Sequence, residues 1–214
     1  CIVNWKLSMI NKDLEYWVAT SAIPGVGSAT FNYLLKSFKG LKNFWEASPS
    51  GIEKLKLDIR TKQSILDFRR KTDPKAYLNR VYERGIKVLS VIDSDYPKNL
   101  KLIGDAPRVL YYKGSLLASD NLALGVVGAR MATVYGKQVT ERFIPDLVAS
   151  GLTIVSGLAR GIDTVAHKAT LKAGGRTIAV LGNGVDLVYP PENRGLSQEI
   201  VKSGALVSEF PMGY

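Results

Sequence analysis

From residue 121 onward the hydrophobic positions follow a repeating pattern. Short apolar runs at residues 122–127, 152–155, 176–181 and 205–208 read as buried strands. Between them, residues 134–150, 164–173 and 194–202 place apolar side chains three and four apart, the period of a helix with one buried face. Thr133 stands where a helix cap is needed, Pro145 predicts a kink, and Gly151, Gly174-Gly175 and Gly204 close the helices. Strand, glycine-bearing loop and helix therefore recur three times, which predicts an open α/β fold with a mostly parallel sheet. Right-handed crossovers bring the C-terminal ends of such strands to one edge, where ligands bind in these sheets. Three loops converge there, beginning at Gly128, Ser156 and Gly182.

Upstream the pattern is helical. Residues 13–22 form a first helix with Leu14, Trp17 and Val18 on one side, and it stops at Ile23-Pro24-Gly25-Val26-Gly27-Ser28. Here Gly27 is expected to take a positive φ and Ser28 to cap a second helix, whose apolar face is Phe31, Leu34, Leu35 and Phe38. Shorter helices follow near 42–47, 51–55 and 61–71. Asp73-Pro74 reads as a boundary. A helix at 75–84 and strands at 86–91 and 109–114 then extend the sheet. The expected organisation is a leader or extension at residues 1–8, disordered or poorly packed, a helical domain at 9–72 and a sheet domain at 73–214.

Composition changes this picture little: 46% apolar and 22% charged residues in 214 are ordinary for a globular chain. No apolar run approaches the roughly 20 residues of a membrane span, and no signal peptide is visible, so the expected location is the cytoplasm, away from membranes. Cys1 is the single cysteine, which excludes an internal disulfide and a cysteine-cluster zinc site. Charge is more informative. The net +10 is uneven: residues 1–117 hold 20 Lys and Arg against 11 Asp and Glu, and the rest hold 9 against 8. A basic excess favours polyanions.

Candidate chemistry lies in the converging loops. Gly128, Arg130, Ser156, Gly157, Arg160, Gly182 and Asn183 would face one crevice, with small residues admitting a ligand to the backbone and free amides and two arginines suiting phosphate. Arg160 reads as a ligand contact, with a loop-organising ion pair as the other reading, and Asp163 as a cap on the helix that follows. Tyr135 and Tyr189 are candidates for stacking on bases. Gly25 and Gly27 form a possible second phosphate site, since an apolar-Pro-Gly-Val-Gly turn between helices resembles a helix-hairpin-helix motif; the alternative is a tight turn in a helical bundle. Rival chemistries fit less well. No GxGxxG or GxxxxGK[ST] occurs, Ser156 lacks a GxSxG elbow, and His167, the single histidine, has neither metal-ligand partners nor an easy reach back to Ser156. His167 is expected to pack, or to bond locally to Asp163.

Together the motifs resemble one family. Val126-Val127-Gly128-Ala129-Arg130 with Thr133-x-Tyr135-Gly136 looks like its first loop, and Ser156-Gly157-Leu158-Ala159-Arg160-Gly161-Ile162-Asp163-x-x-Ala166-His167 looks like its signature. Residues 175–193, ending in Tyr189-Pro190-Pro191-Glu192-Asn193, and Ser208-Glu209-Phe210-Pro211 complete the likeness to the DNA-processing protein A (DprA, or Smf) family. The resemblance implies an extended Rossmann-like domain preceded by a small helical domain of the SAM or helix-hairpin-helix kind. It implies a cofactor-free, metal-free, non-enzymatic protein of natural transformation that binds and protects single-stranded DNA, loads the recombinase RecA and acts as a homodimer. Arg130 would be the pocket arginine, Arg176 a second DNA contact, and Ser156, Gly157 and Arg160 would line the pocket. The family's sheet continues beyond Ser-Glu-Phe-Pro and carries most of its dimer surface there, so this sequence is expected to hold a truncated sheet domain. The alternative function, a Rossmann-like nucleotide phosphoribohydrolase, calls for a glutamate-bearing Pro-Gly-Gly-x-Gly-Thr loop that this sequence lacks.

Overall fold

The computed structural model describes residues 11–214, so the expectation for residues 1–8 lies outside the described residues. In chain order the elements are α1 (Leu14–Ser21), α2 (Ser28–Ser37), α3 (Leu41–Glu46), α4 (Pro49–Glu53), α5 (Ile59–Lys71), α6 (Pro74–Glu83), β1 (Lys87–Ser90), α7 (Lys98–Lys101), β2 (Val109–Gly114), β3 (Ala123–Gly125), α8 (Val134–Ala149), β4 (Thr153–Ser156), α9 (Ile162–Lys172), β5 (Thr177–Val180), α10 (Arg194–Ser203) and β6 (Ala205–Ser208). Single 3-10 turns at Ala118–Asn121 and Pro191–Asn193 were not visible in the hydrophobic pattern. Among the described residues no helix is long and apolar enough to cross a membrane.

The chain divides into two compact units. The first holds the described residues to Tyr96 together with Leu100–Leu110, and the second holds Pro97–Asn99 and Tyr111–Tyr214. The domain boundary expected at residue 73 thus falls inside the first unit. The reason is packing: α6 buries Tyr77 and Val81, and it lies against α1. The core of this unit is largely aromatic and aliphatic, with Trp17 and Phe31 rings 5.2 Å apart and Leu34, Phe44 and Ile65 fully buried. Side-chain caps start its later helices, from Ser48 to the Gly51 amide (3.3 Å), Asp58 to Thr61 (2.9 Å) and Asp73 to Ala76 (2.6 Å).

The hairpin between α1 and α2 differs from expectation in detail. Gly25 takes the positive φ (+84°), whereas Gly27 is extended (φ −83°, ψ −179°) and is itself the N-cap, with Ser28 as the first helical residue. Ser64 of α5 donates to the Pro24 carbonyl (2.7 Å) and fixes the turn from below.

The strand order through the sheet is β1-β2-β6-β5-β4-β3. Strands β3 to β6 are parallel, and β2 runs antiparallel to β6. Each step from β3 to β6 moves in the same direction, so right-handed crossovers set α8, α9 and α10 on one face. Ile154 of β4, Ile144 of α8 and Ala166 and Ala169 of α9 form the core there, with Val126, Leu147 and Val148 packed against it. Pro145 is accommodated within α8, and Thr133 caps that helix on the Gly136 amide (3.1 Å).

His167 is fully buried in this unit. Its Nδ1 lies 2.7 Å from Thr177 Oγ1, and the Thr177 hydroxyl donates to the Ile154 carbonyl (2.8 Å). That hydroxyl has a single proton, so it accepts from Nδ1–H and leaves Nε2 as a buried lone pair without a partner among the described residues. Of the two readings left open by the sequence, packing holds, and the bond goes to β5 rather than to Asp163. Burial pushes the imidazole pKa down to about 4, against the upward pull of Asp163. A histidine whose folded value lies below its unfolded value binds its proton more readily when unfolded. Its contribution is therefore complete above the unfolded value near 6.5 and drains away as pH falls towards 4, by about 3 kcal/mol in total. Urea titrations at pH 7 and pH 4.5 should show this loss, and His167→Gln should remove the part of it above pH 4; equal pH dependence in the two proteins would contradict the buried neutral imidazole.

Candidate functional site

Three loops meet at the C-terminal edge of the parallel strands. The first leaves β3 and carries Gly128 and Arg130, the second leaves β4 at Gly157, and the third leaves β5 and carries Gly182 and Asn183. The second lies directly on the first: Ile162 N–H donates to the Ala129 carbonyl (3.2 Å). Gly161 permits this approach, since at φ +79° a Cβ there would collide with the same oxygen. Gly128 has a related role, because a Cβ on it would stand 2.6 Å from Ile162 Cγ1.

The second loop is pinned from within. Gly157 N–H donates to Asp163 Oδ2 at 3.0 Å, and Asp163 is 7% exposed. Asp163 therefore holds the turn behind it rather than the start of α9, whose N-cap is Gly161 with no side-chain bond. Leu158 sits in the left-handed region (φ +57°) although it has a full side chain, and that side chain is completely buried. Asn193 secures this conformation from the Pro-Pro-Glu-Asn segment, donating to the Leu158 carbonyl and lying 2.9 Å from both that oxygen and Thr164 Oγ1. Beside it Glu192 accepts from Arg160 Nε at 2.5 Å, and both side chains are more than half exposed. The hydrogen bond between them is the chief cause that raises the arginine pKa and lowers the carboxyl pKa.

A crevice of about 270 Å³ opens between the loops. Arg130, Gly157, Arg160, Gly182 and Asn183 line it, together with Ala159 and the ring of Tyr189. Arg130 is exposed and makes no ion pair or side-chain hydrogen bond among the described residues. The Ala159 and Gly182 amides are likewise unpaired among the described residues, and a Cβ on Gly182 would meet open space. Other expected donors are occupied: the Gly157 amide by Asp163, and the Asn183 side-chain amide by the Gly184 and Leu187 carbonyls, each at 2.9 Å. Ser156 is buried and its hydroxyl donates to the Val126 carbonyl (2.7 Å), so it forms no nucleophile–base pair with His167. Tyr135 is exposed on the first turn of α8 but does not line the crevice.

Arg176 is not brought to the crevice. It precedes β5, at the opposite edge of the sheet, and its guanidinium grips Asp120 with Nε to Oδ1 at 2.6 Å and Nη2 to Oδ2 at 2.8 Å. It also donates to the Ser115 and Ser203 carbonyls. Burial pulls the Asp120 pKa upward, but hydrogen bonds from Arg176, the Leu117 amide and Thr153 outweigh this and hold it below the usual value. The roles of Glu192 and Asn193 escaped the sequence reading, since nothing in a Pro-Pro-Glu-Asn string shows that it folds back on a loop more than 30 residues earlier.

Known proteins match this arrangement. Residues 87–214 fit the model of the family described as DNA recombination-mediator protein A. The chain belongs to that family. It is 39% identical over 210 residues to Protein Smf of Synechocystis, covering 96% of this chain and 53% of that protein. The solved structure of DNA processing protein A from Streptococcus pneumoniae superposes with a TM-score of 0.73 at 30% identity, covering 93% of this chain and 68% of the other. That of the Helicobacter pylori protein, described for its single-stranded DNA binding mode, gives a TM-score of 0.53 at 30% identity over 60% of this chain and 57% of the other. The chain thus spans about half the length of its Synechocystis relative.

Asn193→Ala should leave the Leu158 carbonyl without its buried donor. A loss of about 1–3 kcal/mol in urea unfolding is expected, with faster amide exchange at residues 158–164; wild-type exchange in those residues would show that Asn193 does not hold the loop.

Proposed function

We propose that the crevice binds the phosphate backbone of single-stranded DNA, with Arg130 and Arg160 supplying charge, the Ala159 and Gly182 amides supplying directed donors, and Tyr189 offering a face for a base. The observation that carries this reading is Arg130 and two amides, all unpaired among the described residues, in a crevice rimmed by three glycine-bearing loops. The kinship with the Helicobacter pylori protein, itself described by its single-stranded DNA binding, supports the choice of polyanion. The exposed Arg160–Glu192 pair has little hold on its arginine, because water screens an ion pair at the surface and competes for both groups. Phosphate would take over that guanidinium at small cost. Arg176, committed to Asp120, acts in this reading through the fold rather than by contact.

The role extends to the family's work in recombination: protecting an incoming strand during DNA uptake, presenting it to RecA, and acting as a cytoplasmic homodimer in the intact protein. It is a binding role with no cofactor or metal. The hairpin at Gly25 and Gly27 is a second phosphate site in this proposal, supported by the extended backbone of Gly27 at the start of α2 and the open space around it.

Fluorescence anisotropy with labelled oligothymidylate tests the crevice. Arg130→Ala should weaken binding by about 1.5–3 kcal/mol, the worth of a hydrogen bond to a charged group, while Glu192→Gln should strengthen it or leave it unchanged. No loss with Arg130→Ala would overturn the reading. Gly27→Val fits the observed backbone and space, so its fold should survive; wild-type affinity in that variant would retire the hairpin site alone.

A further inference from the structure

Arg130 and Arg160 also border a second, much larger groove, with a volume of about 1130 Å³. One wall is α9, where Thr164, Lys168 and Lys172 succeed one another at four-residue spacing and share a face. The opposite wall is α8, which contributes Lys137, Glu141 and Pro145 at the same spacing. Ala169 and Ala173 also line the groove. The groove exceeds the roughly 300–1000 Å³ of small-molecule pockets, which suits an extended chain better than a compact ligand.

Its charge is directional. Lys137, Lys168 and Lys172 form no ion pair among the described residues, whereas other exposed lysines, such as Lys42 and Lys202, are paired with glutamates on their own helices. Glu141 is the one acid among the groove-lining residues of α8 and α9. Thr164 to Lys172 spans about 12 Å at the helical rise, and Lys168 and Lys172 line the same groove as the two arginines.

We propose that the DNA strand does not end in the crevice. It passes between Arg130 and Arg160 and runs along the groove between α8 and α9, with Lys168 and Lys172 on its phosphates and Lys137 across from them. This track rests on the crevice reading above, and it adds contact residues that no motif in the sequence marks.

The test uses the present chain and labelled oligothymidylates of about four and about sixteen nucleotides, the range over which single-strand sites vary. Removing one cation from a phosphate lowers the dependence of log K on log salt by about 0.7. Lys168→Ala/Lys172→Ala should therefore reduce the slope for the longer strand by about 1.4, cut its affinity at least tenfold near physiological salt, and leave the shorter strand almost unaffected. Lys202→Glu makes the same change in net charge away from the groove and should alter neither slope. Wild-type slopes in the double variant, alongside weakened binding by Arg130→Ala, would overturn the track and leave the crevice standing. Equal losses in Lys202→Glu and the double variant would also overturn it, since only overall charge would then matter. Absence of binding by the unaltered chain would remove the crevice reading and the track with it.

Discussion

The site depends on the contact between its first two loops. Gly161 lets the backbone of the second loop lie against the Ala129 carbonyl, where any side chain would collide. Once the loops touch, Ile162 can donate across the junction, Asp163 can hold the Gly157 amide, and α9 can start beneath the crevice. Asn193 completes the frame by satisfying the carbonyl of Leu158 in its left-handed conformation. The Asn193–Leu158 bond is buried and the Gly157–Asp163 bond partly so, and such bonds are costly to break because an orphaned polar group inside the protein forfeits its water as well. The Arg160–Glu192 pair is exposed and easily exchanged. Hydrogen bonds between and within the loops therefore fix the shape of the crevice, and the groups left for a ligand are those bound weakly or, among the described residues, not at all.

Three arginines show how environment separates residues that look alike in a sequence. Arg130 is exposed with no partner among the described residues, Arg160 shares its charge with an exposed glutamate, and Arg176 is fully engaged by a carboxylate and two carbonyls. A free guanidinium keeps its donors for an incoming anion, whereas an engaged one would have to surrender bonds that hold the sheet edge to residues 115–120. Position agrees with pairing: Arg130 and Arg160 follow strands, and Arg176 precedes one.

Much of the fold was legible because it follows local periodicity. The βα repeats, the Thr133 cap and the convergence of three loops come from spacing and from the handedness of crossovers, and the structure has them. The departures have long-range causes. Asp163 turned from the helix to Gly157 because the second loop folds its amide back onto the carboxylate. Gly25, not Gly27, took the positive φ, in a turn that Ser64, 40 residues away, bonds at the Pro24 carbonyl. Arg176 found Asp120 across 56 residues, which spacing within a motif does not reveal. The first unit absorbed α6 because its apolar face matched α1, although Asp73-Pro74 marks a local break.

A preformed crevice that presents particular donors while others are already spent is the centre of this picture. Amide chemical shifts of the ¹⁵N-labelled chain during titration with a short oligothymidylate test it residue by residue. The largest changes should fall at Ala159 and Gly182, with the Gly157 amide nearly unmoved because Asp163 already holds it. Changes centred on Arg176 and the opposite edge of the sheet, with Ala159 and Gly182 silent, would contradict it.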